Sequence, residues 1–221
     1  MAGKNMTGTE TRGIERVIVS DACVAEGAAW LAASEPRFAR ALEVTGPLPL
    51  RLRDDGFDQL LSAILSQQVS VASARAIWAR LEAANCTTPD VILDTDDETL
   101  RGLGLSRQKA RYARALAEAR IDFVALRDCP TDEVIKRLTA VTGIGIWTAE
   151  IYAMFSLGRA DVFAPGDLAL QEGARLLFDL PERPRDRDLR QMAEAWSPWR
   201  SVAARTLWAY YHVEKQREGI S

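Results

Sequence analysis

Histidine, cysteine and long apolar runs are scarce in this chain, and each scarcity argues against a class of protein or site. A single histidine, His212, occurs among 221 residues, which argues against a multi-histidine metal centre and against a histidine-based catalytic triad. Three widely spaced cysteines without a CxxC pair indicate neither a disulfide framework nor a zinc or iron–sulfur site. No uncharged stretch reaches the roughly 18 to 20 apolar residues that a membrane helix needs. We therefore expect a cytoplasmic protein without a signal peptide, a membrane partner or a cofactor, whose chemistry comes from carboxylates, lysines or tyrosines.

The charges are unevenly distributed, although the net charge of −3 and the pI near 5.4 are not typical of a nucleic-acid binder. The segment from Arg101 to Arg120 holds six cationic side chains against one anion, Glu118. The residues just before it, from Asp90 to Glu98, hold five anions and no cation. Such segregation is typical of a face that binds phosphates, and it is equally compatible with a solvated helix face that binds nothing.

Helical spacing dominates the chain beyond a polar tail at residues 1–12. The predicted core positions of one helix are Phe57, Leu60, Leu61, Ile64 and Leu65, and those of the next are Val71, Ala74, Trp78 and Leu81. Further helices are predicted to begin at Ser106 and Thr131, and strand patterns are weak and confined to residues 16–19 and 48–52. With 48% apolar residues, the chain can form one large or two small cores. We predict an all-α protein of nine or ten helices in two lobes.

The glycine-flanked turn Thr142-Gly143-Ile144-Gly145 precedes a helix predicted to begin at about Ile146. Two glycines allow a sharp turn, and a helix N-terminus adds free N–H groups and a positive dipole end, which together favour phosphate binding. The alternative is a glycine-rich connection between two core helices. In either case we expect Ile144 to pack into the core.

Four segments in order resemble the helix-hairpin-helix superfamily of DNA glycosylases, and within it the DNA-3-methyladenine glycosylase II family, which removes alkylated bases. These segments are AILSQQVSV at 63–71, GLSRQKA at 104–110, VTGIGIWTA followed by DVFAPGD at 141–167, and WSPWRS at 196–201. The resemblance covers about residues 55 to 212. It implies a two-lobed helical glycosylase fold with the active-site cleft between the lobes. The first lobe would span 54–160, with the hairpin at about 131–156, and the second 13–53 plus 161–221.

The resemblance makes Asp167 the candidate catalytic residue, because it matches the family's essential aspartate. It also suits the N-cap of a helix starting at Leu168, and the two roles are compatible. Breaking an N-glycosidic bond builds positive charge on the sugar, which a fixed anion stabilises. At about 4 Å and an effective dielectric constant near 20, the attraction is roughly 4 kcal/mol, or on the order of a thousandfold in rate.

The expected substrates are alkylated purines such as 3-methyladenine and 7-methylguanine. These bases carry a positive charge and leave without a strong general acid, so a site without histidine suits them, and aromatic faces attract them. By resemblance, Trp147 and Trp208 are the best candidates for the base pocket, although core packing is an alternative for either. Tyr152 is a weaker candidate, since the family has a tyrosine one residue earlier, where this chain has Ile151.

Other roles follow from the resemblance. Strand-cutting relatives carry a Schiff-base lysine where this chain has Trp147, which implies a monofunctional enzyme that leaves an abasic site. Gln68 matches the wedge residue that fills the gap left by a flipped base, and a buried or capping glutamine is the alternative. A monovalent cation at the hairpin carbonyls is a further expectation. The partner would be double-stranded DNA containing alkylated bases, bound by a monomer. Candidate DNA contacts are Gly143, Ile144, Gly145 and Thr148 in the hairpin and Ser106 and Lys109 in the basic segment, assisted by Arg107 and Arg111.

Three other readings of the sequence remain. A noncatalytic helix-hairpin-helix DNA-binding module would need the glycines but neither Asp167 nor the tryptophans. A glycosylase for uracil, hypoxanthine or ethenoadenine would share every motif and differ in the shape of its pocket. A helical protein–protein adaptor would show no salt-dependent affinity for DNA.

Overall fold

The computed structural model describes residues 15–217 and shows an all-α fold there, as the hydrophobic spacing predicts. The only β-type pairing in this range is an isolated bridge between Val17 and Arg159, and neither of the weak strand patterns at 16–19 and 48–52 forms a strand. The predicted tail at 1–12 lies outside the described residues. None of the described helices combines the length and the apolar character needed to cross a membrane.

Thirteen α-helices and one turn of 3₁₀ helix make up the described part of the chain. In order they are α1 (Asp21–Ser34), α2 (Pro36–Thr45), α3 (Phe57–Ser66), α4 (Val71–Ala83), α5 (Pro89–Asp94), α6 (Asp97–Gly102), α7 (Arg107–Glu118), α8 (Phe123–Asp128), α9 (Thr131–Thr139), α10 (Ile146–Phe155), α11 (Leu168–Leu177), α12 (Asp186–Ala193), the 3₁₀ turn (Glu194–Trp196) and α13 (Arg200–Arg217). The predicted nine or ten helices were too few. Three of the helices, α5, α6 and α8, are six residues long, which is too short to show a hydrophobic period.

The predicted helix starts and core faces are mostly confirmed. All five predicted apolar side chains of α3 are buried, and Ser106 caps α7 by accepting a hydrogen bond from the Lys109 amide. The inward face of α4 was predicted only in part. Leu81 is buried as predicted, but Ile77, which was not predicted, is buried, and Val71 is 68% exposed. Trp78, assigned to the core from the sequence, is only partly buried against it.

The extensively packed helix pairs fall into two sets. In one set, α3 packs against α4, α7 and α10, α5 and α6 pack against α7, and α9 packs against α10. In the other, α13 packs against α1, α2 and α11, and α12 packs against α11 and the 3₁₀ turn. The chain passes between the sets at 46–56 and at 156–167. The division into lobes at residues 54 and 160 stays a prediction. The packing shows that helices of the first set can face helices of the second set across a cleft.

The close approach of α11 and α13 fixes the walls of that cleft. A Cβ on Gly173 of α11 would lie 2.6 Å from the Leu207 carbonyl oxygen of α13, so only glycine allows the two helices to lie this close. This contact places Trp208, the next residue of α13, near the N-terminus of α11.

Candidate active site

Asp167 lies at the N-terminus of α11 and caps that helix, as the sequence predicted. Its Oδ1 accepts hydrogen bonds from the amides of Ala169 at 2.9 Å and Leu170 at 3.1 Å. The indole Nε1 of Trp208 also donates to Oδ1, at 3.1 Å, and that of Trp147 donates to Oδ2, at 3.1 Å. Within residues 15–217 the carboxylate has no cationic partner. Four neutral donors therefore fix its position without forming an ion pair with it.

This carboxylate lines an open cavity of about 350 Å³ between α10, α11, α13 and the segment that joins α2 to α3. Trp147 is 44% exposed at the cavity, whereas Trp208 is 9% exposed and forms a deeper part of the wall. The wall also includes Arg51, Arg53, Ile151, Phe155 and His212. The structure therefore brings Asp167, Trp147 and Trp208 together in one cavity wall.

Regular helical spacing explains the aromatic wall. Trp147, Ile151 and Phe155 follow one another at intervals of four along α10, so they share one face. On α13, His212 lies one turn beyond Trp208 on the same face. The ring centroids of Phe155 and Trp208 are 5.8 Å apart with a tilt of 31°. Phe155 and His212 were not predicted as site residues, although their spacing from the two predicted tryptophans could have identified both.

His212 corrects one expectation. The sequence predicted a site free of histidine, because the single histidine lies near the C-terminus. The structure places that histidine in the wall of the Asp167 cavity. The site therefore holds a group that can donate a proton or a hydrogen bond.

Tyr152, expected in the base pocket, is turned away from Asp167. Its hydroxyl accepts a hydrogen bond from the Gly56 amide at 3.0 Å, and burial raises its pKa. It lines a second cavity, of about 290 Å³, which has Trp147 in its wall as well. Successive helical residues point about 100° apart, so Ile151 faces Asp167 and Tyr152 does not.

The hairpin has the expected tight turn and exposed helix N-terminus. Gly143 has φ +100°, and a Cβ at this position would lie 2.4 Å from Cγ of Tyr112. Ile144 is buried, as predicted. Gly145 precedes α10 with no side-chain cap, and Thr148 lies buried in the first turn. The first amides of α10 have no intrahelical partner, an arrangement that suits a phosphate oxygen.

Gln68 lies exposed at the junction of α3 and α4, with φ +57°. The side-chain amide of the preceding residue, Gln67, donates a hydrogen bond to the Gly143 carbonyl at 3.0 Å. The predicted wedge position is thus tied directly to the hairpin. The same bond engages one of the hairpin carbonyls at which a cation was expected, and the cation remains an expectation.

Lys109 has a different environment from that expected of a phosphate contact. Its ammonium group is buried and donates to the Leu65 carbonyl at 2.5 Å, and burial lowers its pKa. Lys109 thereby satisfies a carbonyl at the C-terminus of α3, next to Gln67 and Gln68. Ser106 is exposed at the start of α7, where a phosphate can reach it.

Comparisons with known proteins give a consistent result. Residues 61–199 match the family described as HhH-GPD superfamily base excision DNA repair protein. DNA-3-methyladenine glycosylase 1 of Schizosaccharomyces pombe is 33% identical over 165 residues, which cover 71% of this chain and 72% of that protein. The crystal structure of a DNA-3-methyladenine glycosidase from Bacillus halodurans superposes with a TM-score of 0.79 at 34% identity, covering 91% of this chain and 94% of that one. A Schizosaccharomyces pombe 3-methyladenine DNA glycosylase bound to abasic DNA gives a TM-score of 0.71 at 31% identity, covering 83% of this chain and 95% of that one.

Proposed function

This chain belongs to the HhH-GPD superfamily of base excision DNA repair proteins, and on that premise we propose that it excises alkylated purines from double-stranded DNA as a monomeric N-glycosylase. The observation that carries the proposal is the Asp167 carboxylate, which four N–H donors hold in an open cavity beside two indoles. The names of the relatives, DNA-3-methyladenine glycosylases, support the choice of substrate.

In the proposed reaction, the alkylated nucleotide leaves the base stack and its sugar comes to rest against Asp167. The glycosidic bond breaks as the purine departs with the bonding electron pair, and the positive charge that develops on the sugar faces the carboxylate. The four donors are neutral, so they fix the carboxylate without cancelling its charge. Water then adds to the cationic sugar and loses a proton to the solvent, which leaves an abasic site.

Leaving-group chemistry favours alkylated purines. 3-Methyladenine and 7-methylguanine carry a formal positive charge in DNA and depart as neutral bases. The Trp147 and Trp208 indoles line the cavity, and the electron-rich face of an indole attracts a cationic ring more strongly than a neutral one.

The absence of strand cleavage is part of the same proposal. A lyase step needs an amine that can form a Schiff base with the sugar, and no lysine lies among the described residues that line either the Asp167 cavity or its neighbour. The ammonium group of Lys109 donates a hydrogen bond to the Leu65 carbonyl instead. We therefore expect an intact strand with an abasic site as the product.

In this proposal the hairpin binds the DNA backbone and Gln68 inserts into the base stack. The free amides at the start of α10 would bind a backbone phosphate. The exposed Gln68 side chain would fill the gap in the stack after the nucleotide has flipped.

A second candidate is the excision of a neutral lesion such as hypoxanthine, and the position of His212 favours it. A neutral purine leaves more readily when it is protonated or hydrogen-bonded, and a histidine in the cavity wall can supply that help. His212→Gln separates the candidates. If the site acts on neutral lesions, this variant loses hypoxanthine release and keeps 7-methylguanine release.

The test of the proposal uses a duplex oligonucleotide with a single 7-methylguanine and a matched duplex with guanine. The wild-type protein should release 7-methylguanine, and the strand should break only after treatment with alkali. No release from the methylated duplex contradicts the proposed activity. Strand breakage before alkali treatment contradicts the monofunctional mechanism.

A further inference from the structure

The segment that joins α2 to α3 carries a pair of arginines into the wall of the Asp167 cavity. The Leu50 carbonyl accepts a hydrogen bond from the buried guanidinium of Arg205 at 3.0 Å. On the other side, the Arg53 amide donates to the Phe155 carbonyl at 2.9 Å. Between these two anchors Arg51 has φ +53°. The backbone is thus fixed on both sides of the point where Arg51 and Arg53 enter the wall.

Neither arginine has a carboxylate partner within the described part of the chain. Both are exposed, and the guanidinium carbon of Arg53 lies 5.9 Å from the Phe155 ring centroid. The Arg205 guanidinium lies 4.8 Å from the same centroid. Burial, with a contribution from the charge of Arg51, lowers the pKa of Arg205 to about 10. Three guanidinium groups therefore gather beside a cavity in which Asp167 is the only carboxylate among the described wall residues.

This distribution of charge opposes the proposed chemistry when the protein is considered alone. A sugar that becomes positively charged is stabilised by Asp167 and destabilised by nearby arginines. Anions bound to the arginines would remove the conflict. DNA brings such anions, because a phosphodiester lies on each side of every nucleotide, and arginine binds phosphate oxygens with two parallel hydrogen bonds.

We propose that Arg51 and Arg53 bind the phosphodiesters that flank the flipped nucleotide. The inference rests on the proposed function. It adds a phosphate site apart from the hairpin turn at 142–145, which does not contribute to the cavity wall. The pair both holds the extruded nucleotide at Asp167 and has its own charge neutralised by that nucleotide's phosphates.

The experiment combines protein variants with uncharged DNA linkages. Duplexes with one 7-methylguanine carry either normal phosphates or a methylphosphonate on the 5′ or the 3′ side of the lesion, and base release is measured under single-turnover conditions. The proteins are the wild type, Arg51→Gln, Arg53→Gln and the double variant. Arg40→Gln is the matched control, because Arg40 is exposed on α2 and contributes to neither of the two cavities near Trp147.

The wild type should lose about tenfold in rate with a methylphosphonate next to the lesion, and the double variant should lose about tenfold or more with normal DNA. The methylphosphonate should not slow the double variant further, because this variant lacks the two guanidinium groups that would bind the phosphate charge. Equal sensitivity to methylphosphonate in the double variant and the wild type overturns the inference. The control should behave as the wild type, and unchanged thermal unfolding should show that the variants are folded.

A binding measurement distinguishes failure of this inference from failure of the proposed function. Affinity for a duplex with an abasic site is measured over a range of salt concentrations, which requires no excision. The slope of log K against log salt should become shallower by about 0.9 for each phosphate that is no longer bound, or by about 1.8 in the double variant. An unchanged slope contradicts the phosphate site even if the wild type excises bases. If the wild type releases no base, the proposed function is contradicted. The salt dependence of DNA binding then still tests whether Arg51 and Arg53 bind phosphates.

Discussion

Asp167→Asn is the sharpest test of the chemistry, because it removes the charge and nearly preserves the shape. Asparagine can keep the Oδ1 hydrogen bonds from the Ala169 and Leu170 amides and from Trp208. Its amide nitrogen would replace Oδ2 and meet the Trp147 N–H, so that one hydrogen bond is removed. The loss in stability should be small, about 1 kcal/mol for the hydrogen bond plus about 0.3 to 1 kcal/mol for the interaction with the helix dipole.

The effect on rate should be much larger than the effect on stability. With the carboxylate about 4 Å from the cationic sugar and an effective dielectric constant near 20, the attraction that disappears is about 4 kcal/mol. That corresponds to a fall of roughly a thousandfold in single-turnover release of 7-methylguanine. Affinity for a duplex with an abasic site should stay close to that of the wild type, since the hairpin and Gln68 are unchanged.

Asp179→Asn is the matched control. Asp179 is an exposed carboxylate just past the C-terminus of α11, at the opposite end of the helix that Asp167 caps. It has φ +53°, a conformation that asparagine adopts readily. The catalytic role of Asp167 is refuted if Asp167→Asn releases the base within a few-fold of the wild-type rate while remaining folded, or if the control variant is impaired to the same extent.

Three further predictions concern the structures that support the site. Gly143→Ala should weaken DNA binding and lower the melting temperature, because the new Cβ would lie 2.4 Å from the Tyr112 ring and φ is +100°; unchanged values of both would contradict the close contact. Burial raises the pKa of Glu150 despite its ion pair with Arg190. Protonated Glu150 therefore stabilises the folded protein at low pH, and this stabilisation is lost as the pH rises above the usual glutamate pKa, near 4.3. Glu150→Gln should therefore show a flatter fall in melting temperature with rising pH, and a slope equal to that of the wild type would contradict this assignment. Lys109→Met should lower the melting temperature, since a carbonyl at the end of α3 loses its donor, and it should leave the salt dependence of DNA binding unchanged; a slope reduced by about 1 would mean that Lys109 binds phosphate after all.

The sequence predicts well what local spacing determines. The five buried side chains of α3 follow a helical period, and Asp167 has the residue type and the position of an N-cap. The turn at Gly143 and Gly145 is equally local. Such features depend on neighbours within one or two turns of the chain, so they can be recognised without coordinates.

The remaining features depend on contacts between distant parts of the chain. Arg51 and Arg53 lie in the wall of the Asp167 cavity, on a segment whose Leu50 carbonyl is held by Arg205, far along the sequence. Nothing in the pattern around residue 51 signals this contact. Lys109 illustrates the converse, since its charge and its place in a basic segment indicate phosphate binding while its side chain points into the protein.

The hydrogen bond from Gln67 to the Gly143 carbonyl has a consequence for how undamaged DNA is inspected. In the proposed function, this bond connects the segment that carries the Gln68 wedge to the turn that would bind the backbone, so the two would advance along the duplex in fixed register. Each backbone position bound by the turn would then place one base step against Gln68. If the wedge residue moved independently of the hairpin turn, binding of the backbone and testing of the base stack would become two separate steps.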